Sequence, residues 1–112
     1  MDSDRNSLPT WQIKLTEEAK SDLDDFIYYL LVEKMSEQAA QAVLDDAYET
    51  IDKLAEVAGS LQLMEDPYFS ELGYRKIRFQ RHNYYFVYRV VDHIAIVDRM
   101  FHDLQDIDKA LK

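Results

Sequence analysis

The sequence predicts an α+β fold, in which a hairpin of two helices packs on one face of a small, mainly antiparallel sheet. Two long segments with apolar residues at spacings of three and four predict the helices. Three apolar segments near the C-terminus are joined by connections too short for a crossover, so they predict antiparallel strands. An alternating segment near the N-terminus adds one more strand, which gives the order β-α-α-β-β-β.

The 112 residues fit one domain, which we expect to span residues 11–112 behind a flexible tail at residues 1–10. Hydrophobic residues make up 47% of the chain, and it has no cysteine, which excludes disulfides and thiolate metal sites. There is no apolar run of about 20 residues and no signal-peptide pattern. We therefore expect a cytoplasmic protein that does not enter a membrane.

The first strand and first helix follow from the residues around Thr16. Trp11, Ile13 and Leu15 alternate with polar residues, which is the pattern of a half-buried strand. Thr16 is a favourable N-cap and is followed by acidic residues that suit a helix N-terminus. The spacing of apolar residues then predicts a helix over residues 17–34.

The second helix should begin after Ser36 and end near Gly59, where a C′ glycine is expected. The short connection between the two helices predicts that they pair antiparallel. Their outer faces are rich in carboxylates, which suit either a metal cluster or, as we favour, a solvated helix face. These residues are Asp22, Asp24, Asp25, Asp45, Asp46, Glu49 and Asp52.

A loop at residues 60–73 precedes the C-terminal strands, which we place at Tyr74–Phe79, Tyr84–Val91 and Ile94–Phe101. A short helix is expected over residues 104–112. Charge changes sign at the same point in the chain. Residues up to 73 carry 5 Lys and Arg against 17 Asp and Glu, whereas those after it carry 8 against 5. A basic sheet on an acidic helical body indicates that the sheet binds a partner.

Strand alternation predicts a basic face on the sheet. Lys76 and Arg78 share one side of their strand, and Arg89 belongs to the second strand. Arg99 is expected in phase with Ala95, Val97 and Phe101. If the helices cover one face, the opposite face should be free to carry Lys76, Arg78, Arg89 and Arg99. Such a face suits an acidic or amphipathic peptide, an RNA, or simply solvent.

The histidines His82, His93 and His102 lie in turns or at a strand end, without the spacing of metal ligands on one element. His102 is a candidate acid or base, although a structural histidine is more common at such a position. The chain has two glycines and no Gly-x-Ser-x-Gly turn, so it lacks a glycine-rich phosphate loop and an obvious nucleophile. No cofactor and no metal are expected.

Three segments, taken in order, carry a resemblance to a known family. They are residues 15–31 with Ala-x-x-Asp-Leu, residues 73–90 with Gly-Tyr-Arg-Lys and a tyrosine-rich strand, and residues 97–106 with Asp-Arg-Met-Phe-His. Together they resemble the RelE/ParE superfamily of type II toxin–antitoxin toxins, over residues 11–112. The fold of that superfamily is the one predicted above.

The resemblance implies a toxin linked to plasmid stabilisation and growth inhibition, which a cognate antitoxin neutralises by wrapping extended and helical segments around it. Members either cleave mRNA on the ribosome or inhibit DNA gyrase. Lys76 and Arg78 match two basic residues of the endonuclease branch. Other positions depart from that branch: Tyr85 and Leu104 replace expected arginines, and Ile107 occupies the region of the catalytic tyrosine.

We therefore expect a toxin that acts on DNA gyrase, with a ribosome-dependent mRNA endonuclease and an inactive antitoxin-binding module as alternatives. For an endonuclease, Lys76 and Arg78 would hold phosphate and His102 would be the acid or base. A homodimer through the helices or the N-terminal tail stays open. The surface that binds antitoxin or target should contain Arg75, Lys76, Arg78, Arg81, Tyr85, Arg89 and Arg99.

Overall fold

A computed structural model describes residues 10–111, without the side chains of Asp108 and Leu111. The main helices and strands follow the predicted order. The predicted tail lies outside the described residues apart from Thr10, and so does Lys112 at the end of the predicted C-terminal helix. The elements are β1 Gln12–Leu15, α1 Glu17–Tyr28, α2 Glu37–Val57, α3 Pro67–Glu71, β2 Arg75–Arg78, β3 Tyr84–Val91, β4 Ile94–His102 and α4 Ile107–Leu111.

The four strands form one sheet in the order β1-β4-β3-β2. β3 is antiparallel to both β2 and β4, whereas β1 lies parallel to the first half of β4. The β3–β4 connection is tight because Asp92 adopts a left-handed conformation with φ 55°. The predicted α+β class with a mainly antiparallel sheet is confirmed.

Both helices of the hairpin begin at the predicted caps. The Thr16 hydroxyl accepts a hydrogen bond from the Ala19 amide at 3.1 Å, and the Ser36 hydroxyl accepts one from the Ala39 amide at 3.0 Å. The prediction of one regular helix over residues 17–34 is wrong in its last turn. There Tyr29–Glu33 form a π-helical turn, closed by the Lys34 amide donating to the Tyr29 carbonyl at 3.1 Å.

The helices pack on one face of the sheet, where the apolar stripes of α1 and α2 meet the inward side chains of β3 and β4. Tyr88 is fully buried there, and its hydroxyl donates to the Ala58 carbonyl at 2.8 Å. Burial raises the pKa of Tyr88 to about 12. The largest completely buried side chains of this layer are Phe86, Tyr88, Leu54, Met100 and Val97.

Gly59 follows α2 at the predicted position, but for a different reason. Its φ is not positive, so no left-handed C′ conformation requires a glycine there. A Cβ at residue 59 would instead lie 2.6 Å from Cζ2 of the Trp11 ring, far inside van der Waals contact. The glycine is needed because the segment before β1 crosses the end of α2, where the Trp11 amide donates to the Ala55 carbonyl at 2.8 Å.

The segment predicted as a loop at residues 60–73 contains the short helix α3. The Asp66 carboxylate caps it by accepting from the Tyr68 amide at 2.9 Å, and Pro67 occupies its first turn, where a missing N–H costs little. Gly73 ends it with φ 82°. The capping signals were therefore present in the sequence, although the helix is only five residues long.

The second face of the sheet is not entirely free, contrary to the prediction. Tyr85, Val87 and Phe101 point to that face and are buried. Met64 and Tyr74, from the segment around α3, and Ile107 from α4 pack against them. We call this second face of the sheet, including its covered part, the open sheet face. Its uncovered part carries charged residues of β2, β3 and β4.

Candidate functional site

The open sheet face carries most of the residues predicted to bind a partner. Lys76 lies opposite Val87, which in turn lies opposite Arg99, so these positions share one face. Arg78 lies opposite Tyr85 on the same face. Alternation along β3 adds Arg89 to Tyr85 and Val87. The open sheet face therefore contains Lys76, Arg78, Tyr85, Arg89 and Arg99.

Arg99 reaches this face through an irregularity that the sequence pattern did not indicate. Val97 pairs with Tyr88 and Arg99 pairs with Val87, which leaves Asp98 as an extra residue in β4. This bulge reverses the phase of the strand, so Arg99 does not share the face of Ala95 and Val97 as predicted. It shares the face of Phe101, and its guanidinium carbon lies 5.3 Å from the centroid of that ring.

Every arginine of the open sheet face binds a carboxylate of the same chain. Arg78 Nη2 lies 2.6 Å from Asp103 Oδ2, and Arg89 Nε lies 2.8 Å from Asp98 Oδ2. Arg99 Nε lies 2.7 Å from Asp22 Oδ2. These hydrogen bonds raise the pKa of Arg78, Arg89 and Arg99 above the ordinary guanidinium value. The predicted basic face is thus a set of internal ion pairs.

The pair between Arg99 and Asp22 also closes an edge of the sheet. β1 covers β4 only as far as Val97, so the β4 backbone beyond Val97 has no neighbouring strand on that side. The Asp22 carboxylate, on α1, accepts a hydrogen bond from the Met100 amide at 2.9 Å as well as from Arg99. Asp22 therefore joins the helix layer to the sheet. The prediction that it lies on a freely solvated helix face is wrong.

Lys76 differs from the arginines, because among the described residues it has no carboxylate partner. Its ammonium nitrogen lies 4.9 Å from the centroid of the Tyr85 ring, a distance typical of a cation–π contact. Tyr85 itself is 7% exposed, so its ring supports Lys76 and packs with Phe101, and little of it is left for a partner to contact.

Arg75 and Arg81 lie away from the open sheet face. Arg75 is in phase with the buried Ile77, and its guanidinium donates a hydrogen bond to the Leu61 carbonyl. Arg81, in the β2–β3 turn, forms an exposed ion pair with Glu49 of α2 at 2.8 Å. These two arginines stabilise connections between segments and do not extend the predicted surface.

His102 is not brought together with Lys76 and Arg78. It lies opposite Tyr84 on the helix-facing side of the sheet, and the two rings meet edge to face at 5.1 Å between centroids. Its Nδ1 accepts a hydrogen bond from the Leu104 amide at 3.2 Å. The three residues proposed for an endonuclease therefore do not converge on one phosphate.

A buried Asp–His pair is the main arrangement that the sequence did not reveal. Asp46, predicted on a solvated helix face, is fully buried and lies 2.7 Å from Nδ1 of His82. It also accepts hydrogen bonds from the amides of Gln80 at 3.1 Å and Arg81 at 2.9 Å. The three bonds hold the β2–β3 turn against α2.

Desolvation by burial alone would raise the pKa of Asp46, but the hydrogen bonds from His82, Arg81 and Gln80 outweigh it and hold this pKa below its usual value.

Within the described part of the chain, no three carboxylates or histidines stand together as metal ligands would. None of the helices described there is long and apolar enough to cross a membrane.

A family model matches residues 13–107, from the first strand to the last helix, and is described as the ParE toxin of the type II toxin–antitoxin system parDE. The chain belongs to this family. The predicted membership of the RelE/ParE superfamily is thereby confirmed, and with it the general function of a type II toxin–antitoxin toxin. No curated protein matches the chain.

Solved structures show the same fold at low sequence identity. The chromosomal ParDE toxin–antitoxin system of P. aeruginosa is 23% identical, with a TM-score of 0.66 over 83% of this chain and 96% of that one. The RelBE2 toxin–antitoxin complex of Mycobacterium tuberculosis is 18% identical, with a TM-score of 0.51 over 83% and 98%. The DinJ–YafQ toxin–antitoxin complex of E. coli is 12% identical, with a TM-score of 0.53 over 91% and 97%.

Proposed function

We propose that this ParE-family toxin inhibits DNA gyrase by binding it as a protein, and that a cognate antitoxin holds it inactive. One observation carries the choice of target: the arginines of the open sheet face already bind carboxylates of the same chain at 2.6 to 2.8 Å. A surface of this kind is better suited to a protein than to the phosphates of mRNA.

Binding to nucleic acid depends mainly on Lys and Arg that are free to neutralise phosphates. Here a phosphate would have to displace Asp103, Asp98 or Asp22 from a charge-assisted hydrogen bond. The chain as a whole carries a formal net charge of −9, which adds a repulsive background. Together these charges count against a ribosome-dependent endonuclease.

Catalysis would need an acid or base within hydrogen-bond reach of a bound phosphate. His102 lies on the opposite face of the sheet from Lys76 and Arg78 and accepts a local backbone hydrogen bond. The residues assigned to phosphate binding and to proton transfer are therefore separated by the sheet itself. This separation supports inhibition by binding over cleavage of RNA.

The open sheet face has the composition of a protein interface. Arg is enriched at such interfaces. Around the buried aromatic cluster of this face, the side chains that remain at least partly exposed are Lys76, Arg78, Arg89 and Arg99. The antitoxin is expected to cover this face and the apolar seam at the helical hairpin. The solved neighbours named as toxin–antitoxin complexes support a partner of this kind.

The test compares two activities of the purified chain. We expect it to block supercoiling of relaxed plasmid by DNA gyrase and to leave mRNA on translating ribosomes intact in primer extension. Added antitoxin should restore supercoiling. Arg81→Glu, a charge reversal in the β2–β3 turn, is the matched control for charge reversals on the open sheet face, because it breaks an ion pair that lies away from that face.

Two results would favour the alternatives. Message cleavage without an effect on gyrase would replace the proposal with the endonuclease. Lys76→Ala should then abolish cleavage, because Lys76 is the cation of the open sheet face that has no carboxylate partner among the described residues. Tight antitoxin binding without either activity, and normal growth after induction without antitoxin, would indicate an inactive antitoxin-binding module.

A further inference from the structure

A cavity of about 310 Å³ lies between α2 and β2, which is the outermost strand of the sheet. It is distinct from the open sheet face, because α2 of the helix layer forms one of its walls. Its lining includes Thr50, Lys53, Val57, Leu61, Ile77 and Arg78. Apart from Arg78, none of these residues belongs to the surface predicted to bind antitoxin or target.

The backbone of β2 has unpaired groups along the edge beside this cavity. The Phe79 amide donates to the Tyr84 carbonyl at 2.9 Å, so these residues form a hydrogen-bonded pair. Hydrogen-bonded and non-hydrogen-bonded pairs alternate in an antiparallel ladder, so the amide and carbonyl of Arg78 point away from β3. Tyr74 has the same phase, and its outward carbonyl accepts from the Met64 amide at 2.9 Å. Among the described residues, the Arg78 amide has no such partner and is free to bind a ligand.

Lys53 gives the cavity a positive charge that no carboxylate neutralises. It is exposed and lies one helical turn before Val57 on α2. Among the described residues, no carboxylate forms an ion pair with its ammonium group. The Arg78 guanidinium, in contrast, is bound to Asp103. Lys53 is therefore the side-chain cation of this lining that can bind an anion without first losing an internal partner.

The floor of the cavity is apolar. Ile77 is buried, and Val57 and Leu61 are half-buried and pack against the core. Thr50 adds no free donor, because its hydroxyl already donates to the Asp46 carbonyl at 2.7 Å. The cavity thus combines an apolar floor with an ammonium group and a backbone N–H, both of which are donors. A small number of polar groups around an apolar surface is typical of small-molecule sites, and these two favour an anionic end group.

We propose that this cavity binds a small aliphatic carboxylate, with its hydrocarbon part on the floor and its carboxylate at Lys53 and the Arg78 amide. A water molecule occupies about 30 Å³ in the liquid, so the cavity volume corresponds to about ten non-hydrogen atoms. Octanoate has this size. The proposed ligand does not depend on the target of the toxin, so a negative gyrase assay leaves this site untouched.

A nucleotide fits the cavity less well. The described lining residues include no aromatic side chain on which a base would stack, and a single available ammonium does not match several phosphate charges. The C-terminal residue of a peptide offers the same end group as an aliphatic acid. The volume of the cavity favours the free acid, and the experiment below separates the two sources.

The test records amide NMR spectra of the isotope-labelled full chain as octanoate is added. Octanoate should shift the amides of Lys53 and Arg78 and bind with a Kd of about 1 mM or lower, an ordinary affinity for a ligand of about ten non-hydrogen atoms. Octanamide lacks the charge and butyrate has a shorter chain, so each should bind at least about fivefold more weakly. Equal affinities of octanoate and octanamide, or no shift of these amides up to about 10 mM octanoate, would overturn the proposal.

Lys53→Gln tests the assigned cation. The side chain is exposed, so the variant should fold, and octanoate should lose its advantage over octanamide. Lys20→Gln is the matched control, because it removes another exposed lysine that does not line the cavity. Octanoate should keep its advantage in this control. An equal effect of both substitutions, or no effect of Lys53→Gln, would overturn the assignment.

A short acetylated peptide that ends in leucine distinguishes the two sources of the carboxylate. The free acid is supported if this peptide binds more weakly than octanoate. Tighter binding of the peptide, with additional shifts at the Lys76 amide on the same edge of β2, would assign the cavity to a peptide C-terminus and overturn the proposal.

Discussion

Replacing Asp46 with Asn removes a buried negative charge from the junction between α2 and the β2–β3 turn. The carboxylate accepts hydrogen bonds from Gln80, Arg81 and His82 at 2.7 to 3.1 Å and is fully buried. An amide keeps the shape but presents an NH₂ donor to groups that are themselves donors. Losing charge-assisted bonds of this kind should cost about 3 kcal/mol of unfolding free energy.

For a domain of this size, 1 kcal/mol shifts the melting temperature by about 4–8 °C, so Asp46→Asn should lower it by about 12–24 °C. Thermal unfolding followed by circular dichroism at pH 7 measures the change. Asp45→Asn is the control, since Asp45 is exposed and its carboxylate accepts a hydrogen bond from the side chain of Gln41 on the same helix; it should cost less than about 0.5 kcal/mol. Equal melting temperatures for the two variants would refute the reasoning.

The stabilisation that the Asp46 carboxylate provides should also depend on pH. The pKa of Asp46 is lower in the folded protein than in the unfolded chain, because the hydrogen bonds outweigh desolvation. Its stabilisation is therefore fully present above the unfolded-state pKa of about 4 and is lost as pH falls through the folded-state value. The difference in unfolding free energy between the unmodified chain and Asp46→Asn should therefore shrink as the pH falls below about 4.

Two further sets of substitutions test the contact between Gly59 and Trp11 and the role of the open sheet face. Gly59→Ala places a methyl group 2.6 Å from the Trp11 ring, which should cost about 1–3 kcal/mol and alter the fluorescence of the single tryptophan; unchanged stability and emission would contradict the close approach. Arg78→Glu combined with Arg89→Glu should weaken antitoxin binding by well over about tenfold in a titration, because it reverses charge on the expected interface. Arg81→Glu is its control, and an unaltered affinity of the double variant would exclude this face from the interface.

Local chemistry accounts for what the sequence determined by itself. Apolar residues at helical spacing, the caps Thr16 and Ser36, and the alternation of the strands defined each main element and the fold class. These signals lie within a few residues of one another, so they can be recognised without knowledge of any long-range contact. The three segments that resemble the family could be recognised for the same reason: each is a short stretch of the sequence.

Only the tertiary structure decided which charges are free. Asp46 and His82 are 36 residues apart in the chain, and Asp22 and Arg99 are 77 apart. Periodicity places a residue on a face of its own element, but it does not say which opposite charge another element brings within 3 Å. The bulge at Asp98 likewise depends on the pairing of two strands. The sheet therefore looked basic in the sequence, while in the folded chain its arginines are neutralised from other elements.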